Sequence, residues 1–551
     1  MDSHTSRSVA VALLLAGAAG LVGCGSSSSN SPADAGGSMM DSSSMEDSGP
    51  TESGATDSAP SDSASTDSSK ADAGSDAAMV DCGKLPPTGT QIVASTEPLV
   101  LQGGGLTSDG YALYEDTNTQ VLYAVDTAGG MPASLGTMTS QGGTFYRNGG
   151  KAVLFLPAPA DPASSIGVLS AWSAASGPIV MSSSILAFDA YNYNYDVTKD
   201  GAYVAYFAFG GGNATLTIST IDGQTKRALV PNIDLSNQSC FPFVQFVGDT
   251  LVAYYCLATP VPDSGAAAGA LTIASFAVAS SNFAAITPVT LVNLPAPTQN
   301  NPLQYPYSVS PDGTNLLVPS SSGLALYPIA GGSPTTIDAN GGGGAFTPTG
   351  DVVYGATGGA LRRYSGADAG SPVTLTSSGV AYLLALSPDG NWLQFGKNVT
   401  SAGNQTDIWI TSTTTPGSPT QPWSQTNASA FGFTADSHYE TFATNQPTTF
   451  GITTFDFYAS PVSGGTATKI LSSAGTLAFT TGSKFVTNVN VDKLTGSADI
   501  ESVDLSNPSA ATTLVAQADP NFFYAGGPNK VVYTWYCAPN STAGIWAVTA
   551  P

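Results

Sequence analysis

The sequence predicts an all-β protein built from many short antiparallel sheets. Across residues 82–551 a short turn phrase recurs, and most copies are followed by alternating apolar residues typical of a half-buried strand. The chain is also punctuated by 61 Gly and 37 Pro, which interrupt helices. Long stretches with helical spacing and caps are missing from this region, so we expect little helix.

The turn phrase is clearest in Ser310-Pro311-Asp312-Gly313 and Ser387-Pro388-Asp389-Gly390. Pro presets φ at the first central position of a turn, Asp hydrogen-bonds to its own backbone, and Gly accepts a positive φ. We therefore assign the Asp of the phrase a structural role. These residues are Asp109, Asp200, Asp312, Asp389 and Asp436. Weaker copies of the phrase centre on residues 108–110, 148–149, 199–201, 248–249, 348–350, 435–437, 482–483 and 528–529.

The phrase belongs to a longer unit. A second apolar strand usually follows it about 10–15 residues later, and turns such as Gly331-Gly332 follow some of these strands. The unit recurs roughly every 40–60 residues and resembles the WD40-like (PD40) β-propeller repeat of the TolB family over most of residues 90–551. The resemblance implies four-stranded blades around a central channel. We expect a propeller of 8–10 blades, as a single ring rather than two smaller propellers.

The last repeat predicts how the fold closes. Residues 545–548 have the pattern of a third strand, and no fourth strand follows them. Residues 91–95, at the start of the folded region, also have a strand pattern and would supply the missing fourth strand. Closing the last blade in this way removes exposed sheet edges at the joint.

Residues 1–23 have the composition of a lipoprotein signal peptide. Residues 9–22 are almost wholly apolar or small, a run too short to span a bilayer. The segment ends in Leu21-Val22-Gly23-Cys24, which resembles the lipobox of bacterial lipoproteins. The resemblance implies cleavage before Cys24, acyl chains attached to this cysteine and, because Gly25 rather than Asp follows, an outer-membrane address in the cell envelope. The alternative is an ordinary secretory signal with a chance cysteine.

Residues 24–81 predict a disordered acidic linker behind the lipid. Ser, Ala, Asp and Gly dominate, no aromatic residue occurs, and eleven acidic residues stand against Lys70 alone. Such a composition buries too little apolar surface to offset the entropy of the chain. We expect a spacer that lifts the folded region off the membrane. A calcium-binding or adhesive role is the less favoured alternative, because the carboxylates stand singly rather than in the alternating pattern of a calcium loop.

Four cysteines remain beyond the lipidated one: Cys82, Cys240, Cys256 and Cys537. An even number in an exported protein suggests disulfides, and four cysteines allow three pairings. Cys240 and Cys256 bracket two predicted strands, whereas Cys82 and Cys537 lie at the two ends of the fold. We favour the pairs Cys240–Cys256 and Cys82–Cys537, the second beside the joint of the last blade. The alternative is four buried or free thiols.

The charge balance excludes nucleic acid as a partner. The chain has a net charge of −24, and the basic residues of the folded region form no cluster. Without a basic patch, the phosphates of a nucleic acid would not be neutralised. An anionic lipid surface would repel the domain for the same reason. We therefore expect membrane contact through the lipid on Cys24.

No catalytic constellation is recognisable in the sequence. His438 is the one histidine outside the signal peptide, and its place in a turn phrase predicts a solvent-facing residue. The folded region therefore offers no further histidine for a Ser-His-Asp triad or a histidine zinc site. No motif singles out a pair of carboxylates for glycoside hydrolysis. We expect no cofactor, no metal and no enzymatic activity.

Tyr191, Tyr193 and Tyr195 form the one possible ligand face. At a period of two their rings share one side of a strand, where tyrosine combines flat apolar area with a polar tip suited to sugar or peptide binding. The alternative is packing between blades. The favoured function is a membrane-anchored envelope lipoprotein whose propeller binds or scaffolds a protein partner. The alternative is an envelope enzyme or lectin acting on glycans or peptides through a propeller face.

Overall fold

The structure is a computed structural model. It describes residues 88–95, 99–107, 109–137, 147–148, 152–155, 166–186, 195–210, 212–235, 242–258, 271–278, 283–294, 307–320, 322–366, 370–397, 407–423, 428–445, 455–475, 477–490, 498–518, 522–525, 529–535 and 544–550. The predicted signal peptide and linker lie outside these residues. Within the described ranges, no helix is long and apolar enough to cross a membrane.

The described strands form ten four-stranded antiparallel sheets, numbered here 1 to 10 along the chain. In sheets 1 to 9, four consecutive strands pair in chain order. The strands of sheets 1 to 5 are β2 (Leu99–Leu106), β3 (Tyr111–Asp116), β4 (Val121–Asp126) and β5 (Ala133–Thr137); β6 (Arg147–Asn148), β7 (Ala152–Phe155), β8 (Ile166–Ser173) and β9 (Gly177–Leu186); β10 (Tyr195–Val197), β11 (Tyr203–Gly210), β12 (Asn213–Thr220) and β13 (Lys226–Asp234); β14 (Phe243–Val247), β15 (Thr250–Cys256), β16 (Leu271–Ala277) and β17 (Pro288–Leu294); β18 (Ser308–Val309), β19 (Asn315–Ser320), β20 (Gly323–Pro328) and β21 (Thr335–Asp338).

The second half of the chain repeats this plan. The strands of sheets 6 to 9 are β22 (Gly341–Phe346), β23 (Val352–Ala356), β24 (Ala360–Tyr364) and β25 (Val373–Thr376); β26 (Val380–Leu386), β27 (Trp392–Lys397), β28 (Asp407–Ser412) and β29 (Thr420–Trp423); β30 (Ala428–Phe433), β31 (Tyr439–Asn445), β32 (Phe455–Pro461) and β33 (Thr468–Ala474); β34 (Leu477–Phe479), β35 (Lys484–Val489), β36 (Ala498–Asp504) and β37 (Thr512–Ala518). Sheet 10 holds β38 (Phe522–Ala525), β39 (Lys530–Trp535), β40 (Gly544–Thr549) and β1 (Thr90–Ala94). Short 3₁₀ turns occur at Phe283–Ala285 and Pro508–Ala510.

The all-β prediction is therefore confirmed, and the repeating unit of the described structure is a four-stranded antiparallel sheet. Each of the ten candidate turn phrases falls between the first and second strands of a different sheet. The weak copies, such as those at 248–249 and 482–483, mark sheets as reliably as the two clear ones. Ten sheets thus match the upper limit of the predicted number of blades.

Sheet 10 closes as the last repeat predicted. β1 pairs with β40, with Thr90 opposite Ala547 and Ala94 opposite Gly544. Gly544 has φ +141°, and a Cβ placed on it would collide with the carbonyl oxygen of Val93. The joint therefore depends on a glycine, because an L side chain rarely adopts this φ. The predicted fourth strand, residues 91–95, is present one residue earlier, at Thr90–Ala94.

In each sheet, the pair formed by the third and fourth strands is less regular than the pair formed by the second and third. In sheet 4, β15 and β16 pair without interruption, whereas β16 and β17 shift register between Ile273 and Ala274. Every third–fourth strand pair carries such a shift, and among the described residues no second–third pair does. A bulge bends and twists an edge, which makes it a poor template for pairing with another chain.

Apolar side chains fill the space between consecutive sheets. Sheets 3 and 4 share a large cluster around Phe207, Leu251 and Phe276, all buried. Each other consecutive pair also shares a cluster of its own. A further cluster joins sheet 10 to sheet 1 through Ile92 and Tyr114. The core is therefore a series of inter-sheet layers, and the last layer links the end of the chain to its start.

Candidate functional site

A cavity of about 410 Å³ lies beside β1, where sheet 10 meets sheet 1. Its lining residues come from β1 and the following turn, from β2, β3 and β4, and from the turn after β4: Ile92, Val93, Ala94, Ser95, Leu99, Tyr114, Asp116, Tyr123, Gly130 and Pro132. The volume lies in the range of small-ligand sites. The cavity exists because β1 is taken from the opposite end of the chain.

Two tyrosines and one carboxylate give the cavity its chemistry. Tyr114 and Tyr123 are directly opposite one another on β3 and β4, and their rings stack with centroids 5.3 Å apart and an interplanar angle of 17°. Burial, then the neighbouring Tyr123 and the charge of Asp116, raise the pKa of the Tyr114 phenol. Tyr123 and Asp116 therefore interact electrostatically with the Tyr114 phenol, which stays protonated across the physiological range.

Asp116 is the last residue of β3 and directly precedes the turn into β4. Its Oδ1 accepts the backbone N–H of Asn118 at 3.0 Å and of Thr119 at 3.2 Å, an Asx-type arrangement that fixes the carboxylate. The cavity floor is apolar, because Ile92 and Leu99 belong to the cluster between sheets 10 and 1. The site thus presents an apolar floor and a polar wall.

The Asp residues of the turn phrase take the structural role that the sequence predicted for them. Asp312 Oδ1 accepts the Ser310 hydroxyl at 2.5 Å and the Thr314 backbone N–H at 3.1 Å. These bonds, the hydroxyl of Ser310 first, hold the pKa of Asp312 below its ordinary value. The same pattern recurs around Asp200, Asp389 and Asp436. Asp109 lies in the corresponding turn of sheet 1, where Gly110 N–H donates to the Thr107 carbonyl.

His438 occupies one of these turns and is three-quarters exposed. Its Nδ1 lies 3.1 Å from Asp436 Oδ2, within the same turn. Among the described residues, no group of three or more His, Cys, Asp or Glu side chains is placed to hold a metal ion. The histidine therefore has the solvent-facing position expected for a turn residue.

The predicted tyrosine face is described only at Tyr195. This residue begins β10 and is buried in the cluster between sheets 2 and 3. Tyr195 therefore packs between neighbouring sheets, as the alternative interpretation of the tyrosine face expects. Tyr191 and Tyr193 lie outside the described residues, so a ligand face there stays a prediction.

The predicted lipid and disulfide sites fall largely outside the described residues. This applies to the lipobox residues Leu21, Val22 and Gly23, to the lipid-bearing Cys24, and to Cys82, Cys240 and Cys537. Cys256 ends β15, is wholly buried and is disulfide-bonded. Its partner is not among the described residues. The pairs Cys240–Cys256 and Cys82–Cys537 therefore stay predictions.

A buried polar pair between sheets 7 and 8 has no counterpart in the sequence-based predictions. Gln394 on β27 donates its Nε2 hydrogen to Glu440 Oε2 on β31, at 3.3 Å, and both side chains are inaccessible to solvent. Within the described part of the chain, Gln394 Oε1 and Glu440 Oε1 have no hydrogen-bond partner. Burial raises the pKa of Glu440 to about 8, and the bond from Gln394 opposes this shift. The one signal in the sequence was a Glu where other copies have an apolar residue, such as Leu316 or Leu393.

The chain matches no family model and no curated protein. It is similar to a crystal structure of the eukaryotic initiation factor, at 13% identity with a TM-score of 0.43, covering 70% of this chain and 90% of that one. It is similar to a putative TolB from Agrobacterium tumefaciens at 16% identity with a TM-score of 0.23, covering 39% and 83%. A prolyl endopeptidase aligns at 14% identity with a TM-score of 0.33, covering 65% of this chain and 53% of its own length. All these TM-scores lie below 0.5, so no conclusion rests on them.

Proposed function

We propose that the chain is an envelope lipoprotein, anchored by lipid on Cys24, whose ten sheets form one closed β-propeller that binds or scaffolds a protein partner. The observation that carries the proposal is the joint between the first and last described strands. β1 supplies the fourth strand of sheet 10, and Ile92 and Tyr114 link sheets 10 and 1 in one apolar cluster. A ring closed in this way leaves faces and outer edges, rather than sheet ends, for recognition.

The use of the repeated carboxylates supports binding over catalysis. In the clearest copies of the phrase, the Asp carboxylate accepts hydrogen bonds within its own turn, as in Asp312 and Asp389. The residues that recur from sheet to sheet thus maintain the fold, and recognition is left to features outside the turn phrase. The cavity beside β1 is such a feature. The propeller fold by itself specifies no chemistry.

The anchoring part of the proposal rests on the lipobox and the acidic linker. We expect the mature protein to start at Cys24, to incorporate labelled palmitate and to fractionate with the outer membrane. A Cys24→Ala variant should lose the label and the membrane fraction while keeping its folded domain. Labelled protein that persists in this variant would contradict the assignment.

The binding role is tested by cross-linking in intact cells followed by mass spectrometry. We expect one protein partner, captured in stoichiometric amounts by the wild type and at a reduced level by the unanchored Cys24→Ala variant. Purified protein should leave peptidoglycan fragments and peptides intact. Turnover of an envelope polymer by the purified protein would overturn the proposal in favour of an enzyme.

A further inference from the structure

Among the described residues no cation pairs with Asp116, whereas two other carboxylates have a cationic partner. Asp338, at the end of β21, receives Arg362 Nη1 at 2.6 Å. Asp456, on β32, receives Lys469 Nζ at 2.6 Å. Both carboxylates are thus neutralised within the fold, as half-buried acids usually are. In the part of the chain that the structure describes, no ion pair involves Asp116.

Asp116 lines the cavity, and the turn uses only one of its two carboxylate oxygens. Its Oδ1 is occupied by two backbone N–H groups of the following turn, whereas no hydrogen bond among the described residues engages Oδ2. None of the ten lining residues is basic. The cavity therefore holds one negative charge that its own wall does not compensate, and such a site favours a cationic guest.

The shape of the wall selects the kind of cation. Tyr114 and Tyr123 stack on each other, so one face of each ring is covered, and Tyr114 is buried. A sugar ring needs an open aromatic face, but an ammonium needs acceptors for its three N–H donors. The carboxylate and the phenol oxygens are such acceptors. Ile92 and Leu99 provide apolar surface for a methylene stem, which is how a lysine side chain is accommodated.

We infer that the cavity beside β1 receives a lysine side chain of the protein partner. This inference rests on the proposed function, because it names the chemistry of one contact with that partner. The lysine ammonium pairs with Asp116 Oδ2 and hydrogen-bonds to the tyrosine hydroxyls, while its stem lies on the floor formed by Ile92 and Leu99. The cavity of about 410 Å³ has room for one such side chain.

The test compares two probes that differ in charge alone. Nα-acetyl-lysine amide and Nα-acetyl-norleucine amide share an aliphatic stem, and only the first carries an ammonium. Titration of the full chain, followed by NMR or calorimetry, should show the lysine probe binding about tenfold more tightly. Raising the salt concentration should reduce this preference, because the contact is electrostatic.

Two variants locate the binding. Asp116→Asn keeps an oxygen for the turn bonds to Asn118 and Thr119, so the fold should persist, but the preference for lysine should fall to about twofold or less. The matched control is Asp126→Asn at the end of β4, a turn residue outside the cavity that accepts the Ala128 N–H. It should leave the preference unchanged. Equal binding of both probes to the wild type, or a preference that survives Asp116→Asn, would overturn the inference.

The same variant separates this inference from the proposed function. If cells expressing Asp116→Asn still yield the partner at the wild-type level in cross-linking, the binding role stands and the lysine contact fails. If the wild type yields no partner but still prefers the lysine probe, the cavity is a cation site and the scaffolding role fails. Both readouts use the full chain.

Discussion

The boundary between sheets 3 and 4 and the boundary between sheets 7 and 8 are built from the same repeat but hold different contents. Among the side chains that the structure describes, seventeen buried apolar residues fill the first. The cluster at the second has three such residues, Ala385, Ile410 and Phe433. The buried polar pair of Gln394 and Glu440 occupies the same boundary. The position of Glu440 is apolar in other copies of the repeat, so this boundary contains a titratable group where those copies contribute an apolar side chain to the core.

The difference teaches that a series of similar sheets need not be uniformly stable. Apolar burial stabilises a boundary at any pH. A buried carboxyl without a cation is tolerated only when it is protonated, because an unpaired charge in a dry interior is costly. Among the described residues no cation pairs with Glu440. We therefore expect the boundary between sheets 7 and 8 to be the first to open as the pH rises.

The largest expected effect is the loss of a core ring at the apolar boundary. Phe276→Ala should lower the free energy of unfolding by about 4 kcal/mol, because a wholly buried ring leaves a cavity among close-packed neighbours. Phe433→Ala, at the boundary between sheets 7 and 8, should cost about 3 kcal/mol, since fewer apolar neighbours lose contacts. Urea unfolding at one pH measures both. A larger loss for Phe433→Ala would reverse the comparison.

The next effect is a pH dependence that belongs to Glu440. Its pKa in the folded protein is about 8 and its ordinary value is 4.5, so the folded state binds the proton more tightly. Its contribution is therefore fully present below about pH 4.5 and is lost as the pH rises towards 8. Between pH 5 and pH 7 the free energy of unfolding should fall by about 2–3 kcal/mol on this account.

Glu440→Gln isolates this contribution, because it keeps the shape and hydrogen-bonding capacity of the side chain while removing the charge. The variant should lose about 2–3 kcal/mol of the pH dependence between pH 5 and pH 7 and be more stable than the wild type at pH 8. Urea unfolding across this range is the measurement. An unchanged pH profile in Glu440→Gln would assign the dependence to other groups.

The smallest effect concerns the turns that join sheets 7 and 8 at their ends. Asp389 donates its backbone N–H to Ser437 Oγ in the neighbouring turn, at 3.0 Å. Ser437→Ala should lower the free energy of unfolding by about 1 kcal/mol, the usual net value of one hydrogen bond. Ser322→Ala, at an exposed turn of sheet 5, serves as the control and should change stability little. Equal losses in both variants would show that the inter-sheet bond contributes nothing.

Local features of this fold could be predicted from the sequence, and features made by packing could not. The turn phrase encodes its own hydrogen bonds, as between Ser310 and Asp312, so sequence alone located all ten sheets. The strand that completes sheet 10 was also predicted, because the last repeat lacked a fourth strand. Glu440 went unrecognised because it is buried between two sheets, where its partner Gln394 is 46 residues away in the sequence.

The cavity was missed for the same reason. Its floor and wall come from β1, β3 and β4, and no sequence pattern states that the turn after β1 will lie against Tyr114 and Asp116. The individual residues were unremarkable in the sequence, since Asp116 stands among several acidic residues and Tyr123 in an ordinary strand pattern. These residues lie together on neighbouring strands of sheet 1, and β1, paired with β40, adds Ile92 and Val93 to the cavity.

The pairing of β1 with β40 also constrains how the chain folds. Val93 and Ile545 are partners separated by roughly 450 residues, so closing this loop costs about 5 kcal/mol of chain entropy before any contact compensates for it, whereas a two-residue hairpin costs little. Sheets 1 to 9 form from consecutive strands and carry no such cost. Completion of sheet 10 is therefore expected to be the slow final step, and it cannot begin until the C-terminal strand has been synthesised.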